Sequence, residues 1–204
     1  GAVGSTMLDW SIHTNNGVSK FLSLGNKMDV DEADAIEYFG KDEETKVIGI
    51  YSEGIADGRR FMDAVLRSEK PIVMLKAGRS AAGSMAASSH TGALSGSDAV
   101  YDAVFDSLNI IRVKDLEGLF DALSSISLSK PMLKEGIAVI TNAGGLGVMA
   151  ADACSDHPGV SLATLSPSTE EKIREAIPSV ASTHNPVDVR GDATNEMIIS
   201  ALKK

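Results

Sequence analysis

A single cysteine, Cys154, stands in the 204 residues, so no internal disulfide is available. That fits a reducing compartment and a cytoplasmic location. Aromatic residues make up only 4% of the chain while glycines number 19. This balance favours tight turns and close helix–sheet packing over a β-sandwich built on aromatic cross-strand pairs. No apolar run approaches the roughly 20 residues of a membrane helix and no signal peptide is visible, so no membrane partner is expected. Basic residues are outnumbered, 19 Lys and Arg against 28 Asp and Glu, for a net charge of −9. Such acidity argues against nucleic acid as a partner, although backbone amides and a few cations can still hold an anion locally. No Cys or His spacing matches a metal-ligand set. The chain does not begin with Met, and Gly1-Ala2-Val3-Gly4 reads as the middle of a motif; the expectation is a fragment.

What is present is an alternation of helices and strands. Helices are predicted over Ser5–Thr14, Asp31–Phe39, Asp57–Ser68, Ser97–Leu108 and Asp115–Ser127. Strands are predicted at Lys20–Leu24, Lys46–Tyr51, Ile72–Leu75 and Ile110–Val113. Asp31 suits a helix N-cap, with Glu32 and Asp34 complementing the dipole. Crossovers of helix length imply parallel strands, hence an α/β, doubly wound parallel sheet. Residues 129–136, with Pro131, two lysines and Gly136, read as a linker. A second unit then starts with strand Ile137–Thr141, a glycine turn at Gly144–Gly147, a helix to about Ser155, strand Ser161–Leu165 and a helix opened by Ser166-Pro167. Two domains are expected, 1–128 and 129–204, the second incomplete.

The most informative segment is Ser88-Ser89-His90-Thr91-Gly92-Ala93-Leu94-Ser95-Gly96, read as a loop of small residues after a hydrophobic strand and Lys76-Ala77-Gly78-Arg79. Such residues leave room around an imidazole and expose N–H groups and hydroxyls to a phosphate. A neutral imidazole there can accept and pass on a phosphoryl group; otherwise His90 is a loop histidine bonded to a backbone carbonyl. Glu53, at the carboxyl end of the second strand, can accept one ring N–H and fix the tautomer, or it is a solvated loop glutamate. Gly144-Gly145-Leu146-Gly147 joins a strand to a helix and makes either an anion site or a tight packing turn. Gly145 to Ala150 also fits the G-x-G-x-x-A dinucleotide pattern, but no acid at the end of the next strand is placed to hold a ribose. Gly1 to Thr6 leads into a helix in the same manner. Lys76 and Arg79 are candidate anion contacts or simply solvated strand-end charges. His13, His157 and His184 read as structural or exposed, and Cys154 as core.

Ser89-His90-Thr91-Gly92-Ala93-Leu94-Ser95-Gly96-Ser97-Asp98 resembles the phosphohistidine segment of the ADP-forming (NDP-forming) acyl-CoA synthetases, relatives of succinyl-CoA synthetase. Leu22 to Lys27, Asp29 to Asp34, Tyr51 to Ile55, Lys76 to Ser80, Thr141 to Gly145 and Asn185-Pro186-Val187-Asp188 resemble the same family in the same order. The resemblance implies two flavodoxin-like domains. It implies that His90 takes phosphate from an acyl phosphate made from acyl-CoA and inorganic phosphate, then phosphorylates ADP at an ATP-grasp domain. Glu53 matches the glutamate that steadies the histidine. By the same resemblance, phosphate is held at two helix starts, by Gly1, Ala2, Gly4 and Ser5 and by Gly144, Gly145 and Gly147, with Ser89 and Thr91 beside the histidine. CoA, ATP or ADP and Mg²⁺ would be bound mainly by an ATP-grasp domain or subunit and a CoA-binding domain that this sequence lacks. The acid is a small carboxylic acid, and an oligomer is expected. Two departures stand out: the serine-glycine phosphate loop of the family begins before Gly1, and Leu146 replaces a frequent Pro. The fragment alone should not turn over. Two other readings compete, a regulatory or protein-acyltransferase-associated module that senses acyl-CoA, and a plain nucleotide-binding flavodoxin-like domain. An intact His90 and Glu53 count against the first, and the missing ribose-binding acid and the His90 loop count against the second.

Overall fold

A computed structural model describes residues 2–14, 17–91, 97–129, 136–177 and 180–204, with the side chains of 87–91 outside that description. The chain divides into two compact units, 1–130 and 131–204.

The first unit runs α1 (Ala2–His13), α2 (Glu32–Lys41), β1 (Ile48–Ser52), α3 (Gly58–Arg67), β2 (Ile72–Lys76), α4 (Ala81–Thr91), α5 (Asp98–Ser107), β3 (Ile111–Val113) and α6 (Leu116–Leu128). The three strands are parallel in the order β1-β2-β3. As the central strand, β2 is covered on both faces and is buried at every position, which is why Ile72-Val73-Met74-Leu75 is a continuous apolar run rather than an alternating one. One face packs with Ile36, Phe61, Val65 and Phe105; Val73, Leu75 and Leu119 form the other cluster, with Met7 of α1 against it. Helix starts follow the caps. Asp31 Oδ1 accepts the Ala33 and Asp34 N–H groups at 2.8 and 3.3 Å while Asp34 Oδ2 accepts the Asp31 N–H at 3.0 Å, a reciprocal capping box. Asp57 and Asp115 cap α3 and α6 through single bonds of 2.9 and 2.8 Å.

Two expectations fail here. Lys20–Leu24 is not a strand: Phe21 and Leu22 stay 42% and 48% exposed, so no apolar face drives pairing. The segment is instead tethered by the Lys20 ammonium to Asp42 (2.8 and 2.9 Å) and Glu44 (2.9 Å). Ser88 to Thr91 is not loop but the last part of α4. Ser80 Oγ accepts the Gly83 N–H at 3.1 Å and starts that helix, and its alanines favour propagation. Gly92 to Gly96 lies outside the described residues.

The second unit runs β4 (Gly136–Ile137), β5 (Ile140–Thr141), α7 (Gly144–Asp156), β6 (Ser161–Leu162), α8 (Pro167–Ala176), β7 (Val187–Asp188) and α9 (Asn195–Leu202). The expected strand Ile137–Thr141 is split because its two halves have different parallel partners, β6 for the first and β7 for the second. Asn185 joins them. Its Nδ2 donates to the carbonyls of Ile137 and Ala163 at 2.7 and 2.9 Å, and its Oδ1 accepts the Val139 N–H at 2.8 Å. The apolar centre is Ile173, Ile177, Val187, Val189 and Ala201.

Candidate functional site

The carboxyl ends of β1 and β2 lie side by side. Ser52 is in register with Lys76, and the Ala77 N–H continues the ladder to the Ser52 carbonyl at 2.9 Å. Parallel α/β sheets place ligands at this edge. Glu53 leaves β1 there, half-buried, with the Tyr51 hydroxyl 3.5 Å from its Oε1. Burial first, then the Glu53 charge, pushes the Tyr51 phenol above its ordinary value. Lys76 is not a solvated strand-end charge. It is 1% exposed, its ammonium donates to the Ala77 carbonyl at 2.5 Å and it sits 4.7 Å from the centre of the Tyr101 ring. Burial holds this ammonium below the ordinary lysine value, opposed by the charges of Asp98 and Glu53. Arg79 is exposed.

A second cation, unremarked from the sequence, closes on the same loop. The Lys27 ammonium donates to Glu32 Oε1, to Ser52 Oγ at 3.2 Å and to the Gly54 carbonyl at 2.6 Å. Glu32 and Ser52 are both buried, and Ser52 Oγ lies 2.9 Å from Glu32 Oε1 and 2.8 Å from the Gly54 carbonyl. From the sequence Glu32 is only a dipole-complementing acid of α2. Nothing in local spacing shows that it turns inward toward a strand end 20 residues away.

His90 lies in the last turn of α4, flanked by Ser89 and Thr91; the side chains of all three are outside the described residues. In α1, Ala2 and Ser5 are exposed. A Cβ at Gly4 would meet the tip of the Phe21 ring at 2.9 Å, a side chain that is itself 42% exposed. Gly1 is outside the described residues.

The glycines Gly144, Gly145 and Gly147 are the first helical residues of α7 rather than a turn before it. The N-cap is Ala143, which has no side chain to cap with, and Leu146 and Gly147 N–H bond the Ala143 carbonyl at 3.0 and 3.2 Å. Among the described residues the Gly144 and Gly145 N–H groups have no protein acceptor, so this helix start is open to an anion. The three glycines differ. A Cβ at Gly147 would meet Pro186 and Thr141 at 3.2 Å, one at Gly144 would meet Asp188 Oδ2 at 3.0 Å, and one at Gly145 would meet nothing within 4 Å. Packing accounts for Gly147, while Gly145 leaves a bare approach to the backbone.

The remaining histidines sit apart from these groups in sequence and are exposed. His13 donates to the Asp9 carbonyl at 2.8 Å, His184 pairs with Glu170 at 2.7 Å and His157 ends α7. Cys154 is buried. Among the described residues no cluster of three His, Cys, Asp or Glu could hold a metal ion, and no helix is long and apolar enough to cross a membrane.

Residues 1–126 match the succinyl-CoA ligase like flavodoxin domain and residues 137–201 the Ligase-CoA domain. The chain belongs to the succinyl-CoA ligase-like family. Within it, the chain is 44% identical over its whole length to acetate–CoA ligase (ADP-forming) I of Archaeoglobus fulgidus, of which it covers 30%. It is 40% identical over its whole length to the alpha subunit of acetate–CoA ligase (ADP-forming) I of Pyrococcus furiosus, of which it covers 44%. A solved family structure, the Ca. Korarchaeum cryptofilum dinucleotide forming acetyl-coenzyme A synthetase 1 in complex with phosphate and ADP, superposes with a TM-score of 0.87 at 39% identity. That match covers 95% of this chain and 42% of the other. The chain thus spans less than half the length of these relatives, and its α/β architecture with parallel strands is theirs.

Proposed function

We propose that this chain is the phosphoryl-accepting part of an ADP-forming acyl-CoA synthetase, an acid–thiol ligase that interconverts acyl-CoA, ADP and phosphate with acid, CoA and ATP. The observation that carries the reading is the 40–44% identity, sustained over the whole chain, to acetate–CoA ligases (ADP-forming). His90 is the carrier and Glu53 the carboxylate that orients it.

Phosphate first displaces CoA from the acyl-CoA, giving an acyl phosphate and the free thiol. A neutral His90 nitrogen then attacks phosphorus. The N–P bond forms as the bond to the acyl oxygen breaks, and the carboxylate leaves. A β-phosphate oxygen of ADP next takes the phosphoryl group and His90 returns to its starting state. Each transfer asks for positioning and charge neutralisation more than for covalent assistance. Glu53 accepts the N–H of the ring nitrogen that does not react, fixing the tautomer. Phosphate charge is neutralised at helix starts: the contacts in the first unit are Gly1, Ala2, Gly4 and Ser5 with Ser89 and Thr91, and those in the second are the open Gly144 and Gly145 N–H groups of α7. CoA, the Mg²⁺ nucleotide and the carboxylic acid are bound mainly by an ATP-grasp domain or subunit and a CoA-binding domain acting with this chain.

The test is labelling by γ-³²P-ATP and Mg²⁺ of the protein carrying this chain, assayed with its ATP-grasp domain or subunit. Acid-labile, base-stable label that is lost in His90→Ala is the expected result. Equal label in both proteins, or none in either, overturns His90 as carrier and favours a regulatory or sensing module on the same scaffold.

A further inference from the structure

We propose that Lys27 is a positioning residue for Glu53, acting through a Lys27–Glu32–Ser52 cluster, half-buried at Lys27 and buried at Glu32 and Ser52, that locks the backbone on both sides of the Glu53 side chain. The inference rests on the reading of His90 and Glu53 given under Proposed function.

An ammonium has three donors, and Lys27 directs them at three acceptors: Glu32 Oε1, Ser52 Oγ and the Gly54 carbonyl. Two of these, Ser52 and Gly54, are the residues on either side of Glu53. The next residue is held from elsewhere, because the Ile55 N–H donates to the Tyr101 hydroxyl at 3.2 Å, and the Tyr101 ring in turn lies over the buried Lys76. The turn from β1 is therefore clamped at Ser52, Gly54 and Ile55 by side chains from α2, α5 and the segment before α2.

Stability alone is a poor account of this cluster. A buried ion pair loses in desolvation much of what it gains in attraction, and apolar replacements often do as well. Here the carboxylate is buried and the ammonium half-buried, with the Glu32 and Lys27 side chains 5% and 23% exposed. Lys27 also holds a left-handed backbone, φ +55°, a conformation disfavoured for a residue with a Cβ by about 1–2 kcal/mol. Backbone strain of this kind concentrates where surrounding structure must hold a group in place. What the cluster holds is the loop of the one carboxylate that must meet an imidazole with fixed geometry, where a displacement of about 1 Å costs on the order of 100-fold in rate.

The test uses γ-³²P-ATP labelling of the protein carrying this chain together with its ATP-grasp domain or subunit, following the rate of label entry at His90 and its KM for ATP. Lys27→Met with Glu32→Gln removes both charges together, so no buried charge is stranded. Ser52→Ala is a milder second variant that leaves the Lys27–Glu32 pair intact. With circular dichroism unchanged, the expected result is labelling slowed about 10-fold to 100-fold in the double variant and less in Ser52→Ala, with KM unaltered. In a Glu53→Gln background the same substitutions should slow labelling no further, because residues acting through one group are not additive. A wild type that takes no label overturns the His90 reading and this inference with it. A wild type that labels, beside folded variants that label equally fast, overturns the inference alone. So do variant effects that multiply with Glu53→Gln.

Discussion

The two units solve the same folding problem with different materials. The one Trp, three Tyr and five Phe of the chain all lie in residues 1–130, and none in 131–204. The first unit fills its core with rings, Phe61 and Phe105 each 1% exposed, around a strand paired on both sides. The second has an aliphatic centre and strand pairs only two residues long, joined by the three hydrogen bonds of the Asn185 amide. Large rings bury more area per side chain than aliphatic residues do. Where rings are absent, one side-chain amide completes the hydrogen bonding that backbone pairing would otherwise supply.

The sharpest way to break this contrast is Phe61→Ala, expected to cost about 3–5 kcal/mol in urea denaturation. Trp10 emission can follow it, because the indole stacks on Phe120 in the same unit at 5.7 Å. A cost under about 1 kcal/mol would remove the aromatic core as the explanation of the first unit. Asn185→Ala comes next, at about 2–3 kcal/mol, since it leaves the Ala163 carbonyl and the Val139 N–H without their partner, while the Ile137 carbonyl keeps the Ala163 N–H. Faster hydrogen exchange at the Val139 amide should accompany it, and unchanged exchange there would mean that the amide is not what joins the strand pairs. Within α7, Gly147→Ala should cost about 1–3 kcal/mol by overpacking against Pro186 and Thr141. Gly145→Ala, with open space around it, should leave the thermal midpoint unchanged or slightly raised; equal costs would put the packing distinction aside. The smallest effect is at the surface of the first unit. Hydrogen bonds from Lys20, then Thr45, hold the Asp42 carboxyl below its ordinary range. A depressed carboxylate contributes stability above its unfolded pKa, and that contribution disappears as pH falls through the lower folded value. Asp42→Asn should therefore flatten the stability profile below about pH 4 and leave its slope at neutral pH alone.

Much of the architecture was legible because it is written in local chemistry. Asp31, Asp115 and the Ser166-Pro167 pair marked helix starts to within a residue, and the uninterrupted apolar run at Ile72 marked a strand covered on both faces. What was illegible depended on partners distant in sequence. The run from Ile137 to Thr141 is a uniform strand by composition, and only the positions of Leu162 and Val187 divide it in two. Lys20 to Leu24 has strand-forming residues but no apolar face to bury. Among the candidate functional residues, His90 and Glu53 of the first unit and the α7 glycines of the second stand out by residue type. Lys27 and Glu32 look like ordinary surface charges until the fold brings Ser52 between them, and Lys76 looks solvated until Tyr101 covers it.

The bare start of α7 has a consequence for how this protein could be improved. Most helices here carry an acceptor at the N-cap, as Asp31, Asp57, Asp115, Ser166 and Thr194 do, whereas α7 begins on Ala143. Replacing Ala143 with Ser or Asp would give the helix its own cap and raise stability by about 1 kcal/mol. Under the proposed function the same side chain would compete with phosphate for the donors of Gly144 and Gly145. On that proposal thermal robustness and anion affinity are set against each other at that one position, so a screen for heat resistance alone would select against anion binding.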